Sequence, residues 1–436
     1  MSPAPQPSDA EAAEARYLAT PVAIRERAER LYQLTLDGKL DHFDVNEAGL
    51  PLLAARVVSV TRAAYRDVRA IPNHTRFRHF GAGGVDRVAW LEVGLDAQAR
   101  SDAPTSAEPR APDELARERL CAKFELAITS VLLDAGAGER WVYREAASGN
   151  GTGDGTYARS EGLAVASYHL FASGALSEDR ARAPYRADAA ALARFSEDDL
   201  ARAFQVRVDN PLVGLAGRAA ILRRLGEVVA RRPEVFDVLG EGRPRLGNLA
   251  VYLTSQARAG ALPASAVLAA VLDALGDIWP GREVCAGKNL GDVWSHPAVG
   301  RVPFHKLSQW LTYSLCEPLE EHGVRITDLG ALTGLAEYRN GGLFVDGGVL
   351  VPKHGGVLAE IHEVSSPVVV EWRALTIALL DRTAAAMRTL LGATAAELPL
   401  GKVLEGGTWR AGRELARERR RDGGPPIRVR SDGTVF

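Results

Sequence analysis

At 436 residues the chain is long enough for two or three ordinary domains, or for one large domain with insertions, and it can bury a substantial core. Its 25% charged and 46% hydrophobic residues exclude a disordered polymer, and no apolar run reaches the roughly 18 residues of a membrane span. A net charge of -2, with Arg and acidic residues mixed along the chain, excludes the broad basic face that nucleic acid requires; a small-molecule substrate is expected, with neither nucleic acid nor membrane as partner.

The first residues, MSPAPQPSDAEAAEAR, have neither the basic start nor the apolar core of a secretory signal, which predicts a cytoplasmic protein. Cys121, Cys285 and Cys316 are widely spaced and read as reduced thiols, not as a disulfide framework or thiolate metal site. Residues 1–18 have the composition of a disordered tail. Helical signals then predict Pro21–Asp37, Gly49–Ile71 and, after the solvated loop Ser101–Pro112, a helix from Asp113 towards Asp134. A glycine-rich stretch, Gly149–Gly155, leads into a helix in which Leu163, Ala166, Ser167, Leu170 and Phe171 recur at helical spacing. Further helical patterns cover Asp198–Phe204, Leu215–Arg231, Leu246–Ala259, Ala264–Ile278, Lys306–Glu317 and Val369–Leu391. Hairpins are predicted at Gly342–Val351 and Ile427–Val435. The fold is therefore expected to be mainly α with small β-hairpins; no strand–helix rhythm or repeat supports a Rossmann fold, barrel or solenoid.

Polar residues gather in three places. Between Ile71 and Arg87, His74, Arg76, Arg78, His79, Asp86 and Arg87 surround a glycine cluster, which suits an anionic or polyhydroxyl ligand as well as it suits a solvated basic loop. Glu161 opens the helix after the glycine-rich stretch, as a dipole-satisfying residue or a site residue; that stretch lacks a Walker lysine and reads better as a connection than as a phosphate loop. The densest segment runs from Trp279 to Asp346. Within it Lys306, Gln309, Tyr313 and Glu317 share one helical face, either wet or turned to a ligand. Asp292 and His296 are four apart and His305 follows, a spacing open to a metal site but more often an Asp–His hydrogen bond. Glu337, Tyr338, Arg339 and Asn340, beside the glycines that lead to Asp346, resemble a pocket wall. Serine-hydrolase and kinase signatures are absent.

The blocks FRHFGAGGVDR, RSEGLAVAS, NPLVGLAGR, IWPGR, NLGDVW, VPFHKLSQWLTYSLCEPL and LTGLAEYRNGGL resemble the uracil-catabolism protein family of fungi and bacteria, the fourth component of that pathway. The resemblance covers about Ala19 to Gly392. It implies one helical catalytic domain over 19–392, with 393–436 as a charged C-terminal extension carrying a hairpin. The order of YARSEGLAVASYHLFASGALS, FSEDDLARAF, NPLVGLAGRAAILRRLG, NLGDVW and KLSQWL is similar to the queuosine salvage family of helical N-glycosidases, which implies a DNA-glycosylase-like fold. Where that family has an aspartate before its corresponding helix, Phe304 or His305 stands here; Asp292, Glu337 and Arg339 match its other acidic and basic positions.

The resemblance implies hydrolysis of the ribosyl C–N bond of an N-ribosylurea, with or without a 5′-phosphate, releasing urea and needing no cofactor. Such a reaction requires a carboxylate for an oxocarbenium-like state and a donor to the departing nitrogen. Asp292 and Glu337 are the catalytic candidates. Gln309, Tyr338 and Asn340 are assigned to urea or ribose hydroxyls, Arg78, Lys306 and Arg339 to a phosphate, and His79, Glu161 and His305 to the remaining substrate contacts. The rivals are a metal-dependent amidohydrolase using His74, His79, Asp292, His296 and His305, and a non-catalytic pathway scaffold.

Overall fold

The computed structural model describes residues 8–101, 112–146, 155–279 and 283–430. Where a tail was expected, Asp9–Leu18 form helix α1. Ser8 and Glu11 make a capping box there, the alanine-rich repeat favours helix, and Ala15 and Leu18 bury against Cys285, Leu290 and Val293. Helix α2 (Pro21–Leu36) starts on a Thr20 cap with proline in its first turn, and α3 (Leu50–Ala64) stops short of Ile71 because Tyr65 turns extended.

There follow α4 (Arg76–Phe80), α5 (Arg87–Ser101), α6 (Pro112–Leu132), α7 (Arg159–Ala172), α8 (Ala189–Ala193), α9 (Glu197–Ala203), α10 (Leu215–Arg231), α11 (Pro233–Phe236), α12 (Asn248–Gln256) and α13 (Ala264–Leu275). The last third holds α14 (Lys306–Glu321), α15 (Tyr338–Asp346), α16 (Gly356–Ala359), α17 (Pro367–Leu391), α18 (Leu400–Val403), a π-helical turn over Leu404–Thr408 and α19 (Trp409–Arg419). The fold is mainly α, as the sequence predicts. No helix among the described residues is long and apolar enough to cross a membrane.

One large core gathers side chains from Tyr32 to Ile427. Helix α6 is buried on every face from Leu120 to Leu132, the pattern of a helix enclosed by others. It packs on α14, which in turn packs on α13, while α17 lies against α2 and α3. Both faces of α14 are enclosed: Lys306, Gln309 and Tyr313 are buried, so the polar face is not wet.

Strands occur only as two-stranded pairs among the described residues. The hairpin expected over Gly342–Val351 is instead the end of α15 followed by a strand, Leu350–Pro352, paired with Phe43–Val45. Glu337 caps the helix, and its glycines serve close packing: a Cβ on Gly341 would lie 2.7 Å from the Trp372 ring. At the C-terminus Arg428–Arg430 pairs in parallel with Ile361–Glu363, a partner far away in sequence; the Asp432–Gly433 turn lies outside the described residues. So does most of the glycine-rich stretch, residues 147–154.

Candidate active site

A cavity of about 610 Å³ opens between the end of α6, the starts of α7, α14 and α15, Trp409 of α19, and the segment Arg420–Val429. Its rear wall begins with the turn after α6. The Arg218 guanidinium, fully buried, donates to the carbonyls of Ala135 (2.7 Å) and Gly136 (2.8 Å) and also to that of Leu133. These bonds satisfy carbonyls left open at a helix end and fix the residues around Asp134.

Asp134 Oδ2 accepts from Ser160 Oγ at 3.0 Å. Its Oδ1 lies 2.9 Å from Arg76 Nη1 but is not aligned for a hydrogen bond. Arg76, fully buried, donates to Ser130 Oγ (2.7 Å) and to the Ser160 carbonyl (3.2 Å), and its guanidinium carbon sits 5.4 Å from the Trp310 ring centroid. Its Nη2 has no partner among the described residues. The Asp134–Arg76 ion pair thus leaves Oδ1 and Nη2 enclosed and without hydrogen bonds, and of the two residues Asp134 lines the cavity.

Two histidines and two tryptophans form an aromatic cluster on the same wall. His74 stacks on Trp310 at 5.9 Å, and its Nδ1 is 2.7 Å from Glu405 Oε2, on the π-helical turn. Burial works against ionisation of Glu405, but the bond to His74 holds its carboxyl below the usual value. His79 lies 5.6 Å from Trp310 and 6.0 Å from Trp409 and is buried, with an unpartnered Nδ1. Burial, reinforced by nearby Arg76 and His74, pushes its pKa well below that of a free imidazole, so the ring is neutral at pH 7.

Helix α14 is anchored by Asp292. This carboxylate takes both Arg373 nitrogens at 2.7 Å, Trp294 Nε1 at 2.7 Å and the Lys306 backbone N–H at 3.0 Å. Burial opposes its ionisation, but Arg373 and these bonds hold it well below the ordinary carboxylate range. His305, immediately before the helix, is left-handed at φ 46°, a conformation uncommon outside glycine, and its Nε2 donates to the Leu18 carbonyl at 2.9 Å. The kink delivers Lys306 to the cavity, with Nζ 5.6 Å from the Trp310 ring centroid.

Glu337 lines the cavity from the start of α15, where its two oxygens accept from the backbone N–H groups of Asn340 (2.6 Å) and Arg339 (2.7 Å). Opposite lies the C-terminal segment. Arg420 forks onto Asp346, while Arg339 donates to the Gly423 carbonyl (2.7 Å) and Arg159 to that of Asp422 (2.8 Å). Arg159 is itself left-handed at φ 55°. Arg159 and Arg339 thus face the cavity with neutral carbonyl partners.

Of the residues proposed from sequence for the glycosidase reading, Glu337, His79, Lys306, Tyr338 and Arg339 line this cavity, as does His74 of the metal reading. The other glycosidase candidates do not. Asp292 and His305 are engaged as described. Gln309 and Asn340 are buried nearby, with Gln309 Oε1 accepting from Thr333 N–H and Asn340 Nδ2 donating to Leu335 O. Arg78 pairs with Glu317, and Glu161 with Arg413 at 3.0 Å, both partly exposed. Of the five residues of the metal reading, His74 and His79 lie together on the cavity wall with ring centroids 5.8 Å apart, but His296 contacts Glu371 at 3.3 Å, and no group of three or more potential ligands assembles among the described residues.

Asp134, Arg159, Trp409 and the strap Arg420–Val429 were not anticipated. Asp134 did carry a signal: a carboxylate at a helix C-terminus meets the negative end of the dipole and is unfavourable without a cation. Gly406–Gly407 before Trp409 carried another, since a Cβ on Gly407 would lie 2.6 Å from Val57.

Fold and cavity together define a mainly helical protein with a polar, aromatic-walled internal cavity. The chain belongs to the DUF1688 family, described as a protein of unknown function, whose profile matches residues 17–436. It is 38% identical over 424 residues to Protein urg3 of Schizosaccharomyces pombe, covering 95% of this chain and 96% of that protein. It is 35% identical over 456 residues to Uracil catabolism protein 4 of Lachancea kluyveri, covering 95% and 97% respectively. The family resemblance carried by the sequence blocks is borne out.

Proposed function

We propose that this protein acts in uracil catabolism and that its cavity hydrolyses the ribosyl C–N bond of an N-ribosylurea, releasing urea. The name of the Lachancea relative supports the pathway. The observation that carries the chemistry is the meeting of two buried carboxylates, Asp134 and Glu337, with Lys306 and the Trp310 and Trp409 rings around one cavity.

C–N cleavage develops positive charge on the ribosyl carbon, which a carboxylate and an indole face both stabilise. Asp134, which lines the cavity and is held by Arg76 and Ser160, is assigned to that charge and to the attacking water. Glu337 has both oxygens committed to the helix start and so orients more than it reacts; with Tyr338 it holds the ureido group. The neutral His79 ring lines the cavity beside that planar group, its Nδ1 enclosed and without a hydrogen bond. Arg159 and Arg339 would receive a 5′-phosphate where the substrate carries one. Asp292 has no catalytic part here, because Arg373, Trp294 and Lys306 occupy its oxygens.

The test is incubation of purified protein with N-ribosylurea and its 5′-phosphate, with urea measured over time. Urea release by the wild type and its loss in Asp134→Asn are expected. Release from neither compound would overturn the reading and favour a scaffold.

A further inference from the structure

We propose that Lys306 is an amine nucleophile that captures the anomeric carbon of the sugar, so that the reaction passes through a covalent sugar–lysine adduct. The proposal rests on a ribosyl substrate occupying the cavity.

The chain contains its own control. Lys123 and Lys306 are each 8% exposed, with Lys306 the more deeply enclosed of the two. Lys123 reaches Glu92 at 2.5 Å and Glu321 at 2.6 Å, the usual condition of a buried ammonium. Lys306 has no ion pair and no side-chain hydrogen bond among the described residues; its neighbour is the Trp310 ring. Burial lowers the proton affinity of both amines. The two carboxylates more than reverse this for Lys123, whereas Glu337 and Asp134, beyond ion-pair distance, do not for Lys306. Lys306 is also the first residue of a 16-residue helix, whose positive end disfavours an ammonium.

An amine held in a cavity without a counter-ion suits addition to carbon at the carbonyl oxidation level better than recognition of an anion. Arg159 and Arg339 are already assigned to an anion. The left-handed His305 and the Asp292 anchor fix where the lysine stem begins. They act as positioning residues.

The step balances without a redox partner. The neutral Nζ forms a bond to C1 as the C1–N bond to urea breaks; one proton leaves Nζ and, relayed by Asp134, arrives on the urea nitrogen. The glycosylamine opens to an imine, and one water returns free lysine and free sugar. Asp134 then serves the second step by activating that water.

The experiment treats the full chain with ribose 5-phosphate, and separately with ribose, in the presence of cyanoborohydride, followed by intact mass and peptide mapping. The expected result is one reduced pentosyl increment on Lys306, ahead of Lys39, Lys123, Lys288, Lys353 and Lys402, and none on that peptide in Lys306→Arg. Melting curves of Lys306→Arg and Lys306→Met report whether the variants fold, and the wild-type labelling stands without them. No adduct, or labelling of the other lysines at the same rate, overturns the proposal. If wild type releases urea while folded Lys306→Arg does so equally fast, the lysine route falls and C–N hydrolysis stands. Labelling of Lys306 without urea release has the opposite meaning.

Discussion

Two buried carboxylate–guanidinium pairs flank helix α14, and they differ in what they leave open. Asp292 and Arg373 form a forked pair whose carboxylate also takes an indole N–H and a backbone N–H. Asp134 and Arg76 meet through one contact of 2.9 Å that is not aligned for a hydrogen bond, and Arg76 Nη2 has none. A saturated buried pair holds structure together. An under-bonded one, with Asp134 on a cavity wall, can gain bonds when a ligand shifts it, since each unmet group costs about 1–3 kcal/mol until something binds it. The same chemical couple is thus an anchor in one place and a candidate site in the other.

The largest effect should come from the anchor. Asp292→Asn leaves Arg373 buried without its counter-charge, and a loss of about 3–5 kcal/mol in denaturant unfolding is expected. A loss well under 1 kcal/mol would break the contrast. Asp134→Asn should lose less stability but lower urea release about a hundredfold or more, within the range of a positioned acid–base group. Comparable activity in Asp134→Asn and wild type would sharpen attention onto Glu337.

A smaller effect concerns pH. His79 is held neutral in the folded chain, its affinity for a proton depressed by burial and by Arg76. The unfolded chain binds that proton near pH 6.5 and the folded chain does not, so stability rises with pH through this range. Its contribution is present above about pH 6.5 and is lost on acidification below it. Melting temperature should therefore fall more steeply between pH 7 and 5 in the wild type than in His79→Gln; parallel slopes would contradict the assignment. The smallest effect belongs to Arg78→Ala, because its pair with Glu317 is partly exposed: less than about 1 kcal/mol and unchanged urea release per folded molecule.

Long helices with a regular apolar stripe, such as Leu215–Arg231 and Pro367–Leu391, were legible in the sequence because periodicity is local. Helices α15 and α19 were not. The glycines before Val351 read as a hairpin turn and residues 393–436 as a charged extension, yet glycines of these helices mark places where two backbones press together: a Cβ on Gly412 would lie 2.3 Å from the Arg339 carbonyl. Polar density led to Lys306, Tyr338 and Arg339, which share the cavity. It led equally to Asp292, because density cannot tell a carboxylate whose lone pairs are filled from one whose lone pairs are open. That distinction rests on Arg373, 81 residues along the chain. Asp134 and Trp409 likewise acquire their surroundings only when α6, α14 and the C-terminal strap come together.

The most direct measurement is a crystal soak with ribose 5-phosphate and urea. The account predicts density for the sugar in the cavity, with its anomeric carbon facing Asp134 and Lys306 and its phosphate on Arg159 and Arg339. Sugar bound elsewhere, with the Asp134–Arg76 pair still unmet, would contradict it.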